Sequence, residues 1–274
     1  MNFRAVTLST AAAAAAVILS GCCCKTVYDC KFNVGAPAEK FAVSKAAGSV
    51  KLDGVLDAKE WKGAEVYSLV RAYRYVNPKT TPAKVYAHSS KKGGDVEPLD
   101  PGTVRVMYDN NYLYIGAQLT DRDMIQYAAE NQAKLAGQGD AFILYIKPAN
   151  SPSYWECQVA PNGKIASFFV PTRGYPANPE ETLMPGMKAS VKVQGTINKY
   201  QDTDKGWTVE LAIPLAQLKK AGAEFKPGSA WTILAARRNY NFNVLDTDPQ
   251  DSTVPEMPCN TFSYIEYFAD VIWK

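Results

Sequence analysis

The chain has 274 residues, of which 47% are hydrophobic, and its formal net charge is +3 at pH 7. This length suits one large β domain or two small ones, and the composition is sufficient for a globular core. Because the charge is close to balanced and no dense run of Lys or Arg occurs, nucleic acid is not expected as a partner.

An export signal occupies the start of the chain. Arg4 precedes an Ala-rich apolar run that ends at Leu19, too short for the ~20 apolar residues of a membrane-spanning helix. The residues Leu19-Ser20-Gly21-Cys22 resemble the lipobox of bacterial lipoproteins. The resemblance implies removal of signal peptide 1–21, acylation of Cys22 (palmitate) and a lipid anchor in the cell envelope. Because no Asp follows Cys22, it implies the outer membrane; the alternative is a plain secretory signal.

The remainder of the chain is predicted to be a tether over 22–47 and one folded domain over 48–274. From residue 50 onward, short runs rich in Val, Ile, Tyr, Phe, Thr and Trp recur between turn residues, which is typical of β-strands. The pattern predicts an all-β fold, an antiparallel β-sandwich of jelly-roll or immunoglobulin-like type with few short helices. The predicted strands are Val50–Leu52, Val66–Val76, Thr103–Tyr108, Tyr112–Leu119, Ala141–Lys147, Tyr154–Ala160, Lys164–Val170, Ala189–Ile197, Trp207–Ile213 and Trp231–Asn239.

Three segments depart from this strand pattern. Helices are predicted over Asp123–Leu135 and Pro214–Ala221. The segment Asn77–Gly102 is rich in Pro and Gly, and a connection of this length is usually functional or disordered.

Two residue sets leave alternatives open. Cys157 and Cys259 lie within the predicted domain, and in an exported protein they form either a disulfide or two separate buried thiols. The carboxylates of Asp246, Asp248 and Asp251 form either a calcium-binding loop or a solvated turn. No metal site and no cofactor are predicted, calcium remaining the one open case.

The sequence offers little for catalysis. The only histidine, His88, lies in a polar segment, and no Gly-x-Ser-x-Gly motif supplies a nucleophile. The chain is therefore predicted not to be an enzyme.

Four blocks of the sequence resemble carbohydrate-binding module family 9. Val50–Trp61 is similar to the opening of that domain, Thr103–Ile115 to its next hairpin, Gly139–Ile146 to a following strand and Gly206–Pro214 to a late strand. Together they also resemble the wider DOMON-like superfamily of β-sandwiches, which has sugar-binding and haem-binding members. The resemblance implies this fold and a non-catalytic protein that binds a glycan.

The family's sugar contacts are replaced at the matching positions. Its first ligand-clamping Trp corresponds to the region Leu135–Gln138, and its Glu corresponds to Ile143. Its Arg aligns near Gln158, and its second Trp has no counterpart among Met257–Tyr264. The resemblance therefore leaves the ligand open.

The segment Tyr154–Ala160 carries the best candidate binding face. Alternation places Trp155 and Cys157 on an apolar face and Tyr154, Glu156 and Gln158 on the other. Sugars are bound by aromatic rings together with hydrogen bonds from planar polar side chains. The alternative is a solvated outer face. The predicted ligand-binding residues are Tyr145, Tyr154, Glu156, Gln158, Arg238, Asn239 and Tyr240.

Two other functions stay open at this point. A haem-binding electron-transfer protein of the same superfamily would need axial ligands, for which Met107 and His88 are the candidates. A structural or assembly role at the cell envelope would use the domain to pack on a partner protein.

Overall fold

A computed structural model of the chain describes residues 40–71, 100–173, 183–241, 249–257 and 262–274. Within these ranges the fold is all-β, as predicted, with one short α-helix, α1 (Leu215–Leu218). None of the helices in the described ranges is long and apolar enough to cross a membrane. The strands are β1 (Lys40–Lys45), β2 (Tyr67–Ser68), β3 (Val70–Arg71), β4 (Gly102–Tyr108), β5 (Tyr112–Leu119), β6 (Ala141–Pro148), β7 (Tyr154–Val159), β8 (Ile165–Val170), β9 (Lys188–Gln194), β10 (Gly206–Pro214), β11 (Trp231–Asn239), β12 (Gln250–Val254) and β13 (Ala269–Trp273).

The main path of the sheet runs in the order β8-β7-β6-β11-β13-β1-β4-β5-β10-β9. Strand β1 joins its two halves, because Lys40–Val43 pair with β13 while Ser44 and Lys45 pair with β4. Both pairings of β1 are parallel, so the prediction of a wholly antiparallel arrangement is wrong here. Because no tight hairpin joins β1 to β4 or β13, the chain connection does not require antiparallel pairing there.

The main hydrophobic core contains residues from both halves of the sheet. From one half it contains Leu144 of β6 with Trp155 and Cys157 of β7, and from the other Val106 of β4 and Leu211 of β10. The predicted inward face of β7 is therefore confirmed. The β6–β7–β8 side and the β4–β5–β10 side of the sheet therefore contribute to the same core.

A second cluster covers the opposite face of β6, β7 and β8. It includes Ile143, Tyr145 and Phe168, together with Phe262 and Phe268 from the C-terminal segment. Because β6 is covered on both faces, all eight of its residues are buried. This second cluster supports the candidate site described below.

Strand β1 lies inside the range 22–47 that was predicted to be a tether, so that boundary is wrong for Lys40–Lys45. Phe41, Ala42 and Val43 are all buried, because the strand is covered on both faces. A strand buried in this way shows no alternation, which is why its pattern resembled that of a tether. Residues 22–39 lie outside the described ranges.

The predicted helix Asp123–Leu135 is wrong, since this segment is an irregular loop that ends in a single 3₁₀ turn, Leu135–Gly137. Its backbone N–H groups bond to distant side chains instead of forming helical bonds. Met124 N donates to Asp204 Oδ2 at 2.9 Å, and Ile125 N donates to Asp140 Oδ2 at 2.6 Å. The second predicted helix is confirmed as α1 and the turn that follows it.

Eight of the predicted strands match described strands, with ends that differ by up to a few residues. The predicted strand Val50–Leu52 is wrong, since these residues form no strand. The backbone that follows bonds to a side chain instead of to another strand, because the N–H groups of Asp53 and Gly54 both donate to Glu210. Of the predicted strand Val66–Val76, only β2 and β3 are seen, and residues 72–76 lie outside the described ranges. Strands β12 and β13 were not predicted.

Candidate functional site

A cleft of about 460 Å³ opens on the face of β6, β7 and β8 that points away from the main core. Its floor comprises Ile143 and Tyr145 of β6, Glu156 and Gln158 of β7, and Phe168 of β8. These residues share a face because side chains two positions apart on a strand point the same way. The volume lies in the range of small-ligand sites.

The walls of the cleft come from loops and from the end of β11. Lys134, Ala136 and Gly137 form one side, Phe262 forms another together with Ser263, and Arg238 closes one end. The cleft therefore combines aromatic surface with a small number of charged and polar groups, which is the usual composition of a ligand site.

Asp140 fixes the loop that forms the first wall. Its carboxylate accepts from the N–H of Ile125 and from the N–H of Tyr240, both at 2.6 Å. Gly139 has φ of +146°, and a Cβ there would lie 2.2 Å from the carbonyl oxygen of Ile125. Only glycine allows this close approach of the two backbones.

Glu156 is the carboxylate of the cleft. The side-chain amide of Gln158 donates to its Oε1 at 2.5 Å, and the other end of that amide accepts from Ala136 N at 3.2 Å. Burial raises the pKa of Glu156, while hydrogen bonds from Gln158 and Tyr145 and the charges of Arg238 and Lys134 act in the opposite direction. Glu156 is thus a preorganised hydrogen-bond acceptor.

Arg238 is held in a two-point ion pair. Its Nε and Nη2 donate to the two carboxylate oxygens of Asp251 at 3.0 and 3.2 Å. The guanidinium carbon also lies 5.7 Å from the centre of the Phe262 ring. This pairing fixes the end of the cleft and neutralises the charge of Arg238.

The structure brings together four of the seven predicted ligand-binding residues, Tyr145, Glu156, Gln158 and Arg238, in this one cleft. Tyr154 shares their face but packs beside them, its ring centre 6.0 Å from that of Tyr145. It contributes to the second cluster and does not line the cleft.

Asn239 and Tyr240, the last two of the predicted ligand-binding residues, do not line the cleft. Asn239 lies on the core face of β11, where its amide donates to Asp100 Oδ2 at 3.0 Å and accepts from Arg237. Asn239 does not line the cleft, so the structure does not bring it together with the other predicted ligand residues. Tyr240 supports the wall of the cleft, because its hydroxyl donates to the carbonyl of Ala136 at 3.1 Å.

Lys134 and Phe262 line the cleft but were not predicted as ligand residues. Both lie in segments that are irregular in the structure, and Lys134 falls within the wrongly predicted helix Asp123–Leu135. The only sequence indication was positional, because both fall in or next to segments that match the two clamping tryptophans of the family.

Of the two alternatives left open for Cys157, the structure has a free, buried thiol in the main core. Burial there raises the pKa of the thiol well above its usual value. Its predicted partner, Cys259, lies outside the described ranges, as does Cys22.

The calcium and haem alternatives gain no support from the described residues. Asp246 and Asp248 lie outside them, and the carboxylate of Asp251 is engaged by Arg238. No group of three or more metal-binding side chains occurs within the described part of the chain. Met107 is buried beside Trp61 in a small separate cluster, and His88 lies outside the described ranges.

Solved structures of known proteins share this fold. A carbohydrate-binding module family 9 from Caldicellulosiruptor kristjanssonii in complex with cellotriose aligns with a TM-score of 0.54 and 13% identity, over 86% of this chain and 94% of that one. A module of that family from the same organism in complex with glucose aligns with a TM-score of 0.53 and 13% identity, over 85% and 95%. A candidate carbohydrate-binding protein from Bacteroides uniformis aligns with a TM-score of 0.62 and 10% identity, over 86% and 99%.

No protein-family model matches the sequence, and no curated protein does. At identities of 10–13% the structural alignments establish the fold. The chain therefore has the fold of carbohydrate-binding module family 9, as its four sequence blocks predicted.

Proposed function

We propose that the protein is a non-catalytic lipoprotein that binds a glycan in the cleft between β6–β8 and Phe262. One observation carries this proposal. The positions that match the family's first Trp, its Glu and its Arg are Leu135–Gln138, Ile143 and Gln158, and all three regions line the cleft. This correspondence supports the same location for a ligand in this chain, although the side chains in it differ.

The chemistry of the cleft supports a sugar ligand. Glu156 offers a carboxylate acceptor, Lys134 an ammonium donor and Phe262 an aromatic wall. Pyranose rings present hydroxyl groups at their edges and C–H groups on their faces, and such surfaces match this combination.

The cleft is poorly suited to hydrolysis. A glycosidase generally needs two carboxylic groups across the scissile bond, about 5–9.5 Å apart. Among the described residues that line the cleft, Glu156 is the only acidic one. The nearby Asp251 is paired with Arg238 and does not line the cleft.

Two further parts of the proposal concern the setting of the domain. We infer that the two halves of the sheet stack as a sandwich, which the shared core between them supports. We also infer that Cys22 is acylated and holds the protein on the outer membrane, which the sequence Leu19-Ser20-Gly21-Cys22 supports.

Calorimetric titration of the full chain in detergent micelles with a panel of neutral mono- and oligosaccharides tests the binding function. We expect at least one sugar to bind, and Glu156→Gln to weaken that binding by about tenfold, because a charge-assisted hydrogen bond is lost. Glu224→Gln, at an exposed site outside the cleft, is the matched control. Failure of every sugar to bind, or wild-type affinity in the Glu156 variant, would refute the proposal.

A further inference from the structure

The floor of the cleft places polar and apolar side chains directly beside one another. In the strand register, Glu156 lies between Tyr145 on β6 and Phe168 on β8, and Gln158 lies opposite Ile143. The Cβ atoms of directly opposed residues are about 5 Å apart. A ligand group that reaches Glu156 is therefore also close to an apolar side chain.

Several polar groups at the cleft are already satisfied within the protein. Gln158 uses both ends of its amide, on Ala136 N and on Glu156. Arg238 directs its Nε and Nη2 at Asp251. A plain sugar, with hydroxyl groups around the whole ring, thus finds few free planar groups to bind.

Two charged groups remain available to a ligand. A carboxylate accepts up to about four hydrogen bonds, so Glu156 retains acceptor capacity beyond its bonds with Gln158 and Tyr145. Lys134 is exposed at the wall, and its side-chain ammonium group forms no hydrogen bond with any residue in the described ranges. The cleft thus offers one strong acceptor and one strong donor next to apolar surface.

We propose that the cleft selects a sugar that carries an acetamido group in place of one ring hydroxyl. This inference rests on the proposed glycan-binding function and specifies its ligand class. The acetamido N–H donates to Glu156, the carbonyl oxygen accepts from Lys134, and the methyl group packs against Ile143 and Phe168. A hydroxyl group in the same place has no methyl to fill the apolar part of the floor.

The charge balance of the cleft favours a neutral ligand of this kind. Lys134 and Glu156 carry opposite charges, and Arg238 is neutralised by Asp251. A charged sugar, whether a free amino sugar or a uronic acid, is attracted by one of these two residues and repelled by the other, so the cleft gives it no net electrostatic advantage. The acetamido group carries no charge and satisfies both residues.

The test compares three sugars that differ only at one ring carbon: N-acetylglucosamine, glucosamine and glucose. Calorimetric titration of the full chain in detergent micelles gives the three affinities. We expect N-acetylglucosamine to bind at least about tenfold more tightly than the other two, which is the discrimination expected when one apolar group fills a pocket. Equal or tighter binding of glucose overturns the inference and leaves the proposed function standing, whereas no binding by any glycan overturns both.

The variant Lys134→Gln separates selectivity from general binding. Because Lys134 is exposed, the variant is expected to fold normally, which its melting temperature verifies. We expect the preference for N-acetylglucosamine over glucose to fall by about fivefold or more, since a hydrogen bond to a charged group is lost. Lys205→Gln, at an exposed lysine outside the cleft, is the matched control and keeps the full preference. An unchanged preference in Lys134→Gln contradicts the assigned role.

Discussion

Trp61 donates a hydrogen bond from Nε1 to Oε1 of Glu210 at 3.1 Å, across 149 positions of sequence. The other oxygen of Glu210 accepts from the N–H groups of Asp53 and Gly54, at 2.9 and 2.8 Å. The first and last of the four family-like blocks are thus joined by one buried carboxylate. These residues hold the fold together and do not line the cleft.

Replacement of Glu210 by Ala is expected to destabilise the protein by about 3 kcal/mol. The substitution leaves three N–H donors without their acceptor, two of them in buried bonds, and each unsatisfied buried donor costs about 1–3 kcal/mol. Urea unfolding measures the change. Glu224→Ala removes an exposed carboxylate with two lysine partners and is expected to change stability far less. Equal effects of the two variants would contradict a structural role for the three hydrogen bonds of Glu210.

Gly139→Ala is expected to weaken both stability and sugar binding. Its Cβ would lie 2.2 Å from the carbonyl of Ile125, so the loop that carries Lys134 and Ala136 must move. Gly163→Ala is a matched control, because Gly163 also has a positive φ, of +79°, but has open space around its Cβ position. We expect the control to lose only about 1 kcal/mol from backbone strain and to bind sugar normally. Melting temperature and calorimetric titration measure the two effects.

Glu156 is expected to give a defined pH dependence of stability. Because its pKa is raised by burial, the folded protein binds this proton more tightly than the unfolded chain does. Ionised Glu156 therefore lowers the free energy of unfolding. This effect is absent at low pH and grows as the pH rises from the pKa of Glu156 in the unfolded chain through its pKa in the folded protein. Relative to wild type, Glu156→Gln should become more stable as the pH increases across that interval.

Unfolding of both proteins in urea at several pH values measures this dependence. Glu224→Gln provides a control of opposite sign, because ion pairs with two lysines lower the pKa of Glu224 to about 2. The small stabilising contribution of Glu224 is present above its pKa in the unfolded chain. It disappears as the pH falls through its pKa in the folded protein. A difference between wild type and Glu156→Gln that does not vary with pH contradicts the burial of this carboxylate.

Cys22→Ala is expected to abolish the lipid anchor. Without the acylated thiol the chain should partition into the aqueous phase of a detergent extraction, whereas the unchanged chain should enter the detergent phase. Cys30→Ala, in the same N-terminal region, is the matched control. Partitioning of Cys22→Ala into detergent to the same extent as wild type would falsify the assignment of the lipobox.

Part of the floor of the cleft could be predicted from the sequence, because apolar and polar residues alternate along β7. Since Trp155 and Cys157 are apolar, period two places Glu156 and Gln158 on the opposite face, and the structure has them there. The same rule, applied to β11, separates Arg238 from Asn239. Adjacent residues of a strand point to opposite faces, so the two could not both line the cleft.

The walls of the cleft could not be predicted in this way. Phe262 and Lys134 lie in irregular segments, and their positions depend on bonds between distant residues. The amides of residues 124 and 125 bond to Asp204 and Asp140, and these bonds override the local pattern that favoured a helix. Strand β1 was missed for a related reason, because burial on both faces removes alternation.

A crystal structure of the protein soaked with its best-binding sugar tests the central claim most directly. The account predicts a sugar in the cleft, within hydrogen-bond distance of Glu156 and in contact with Phe262. A sugar bound at any other surface, with this cleft empty, would contradict it.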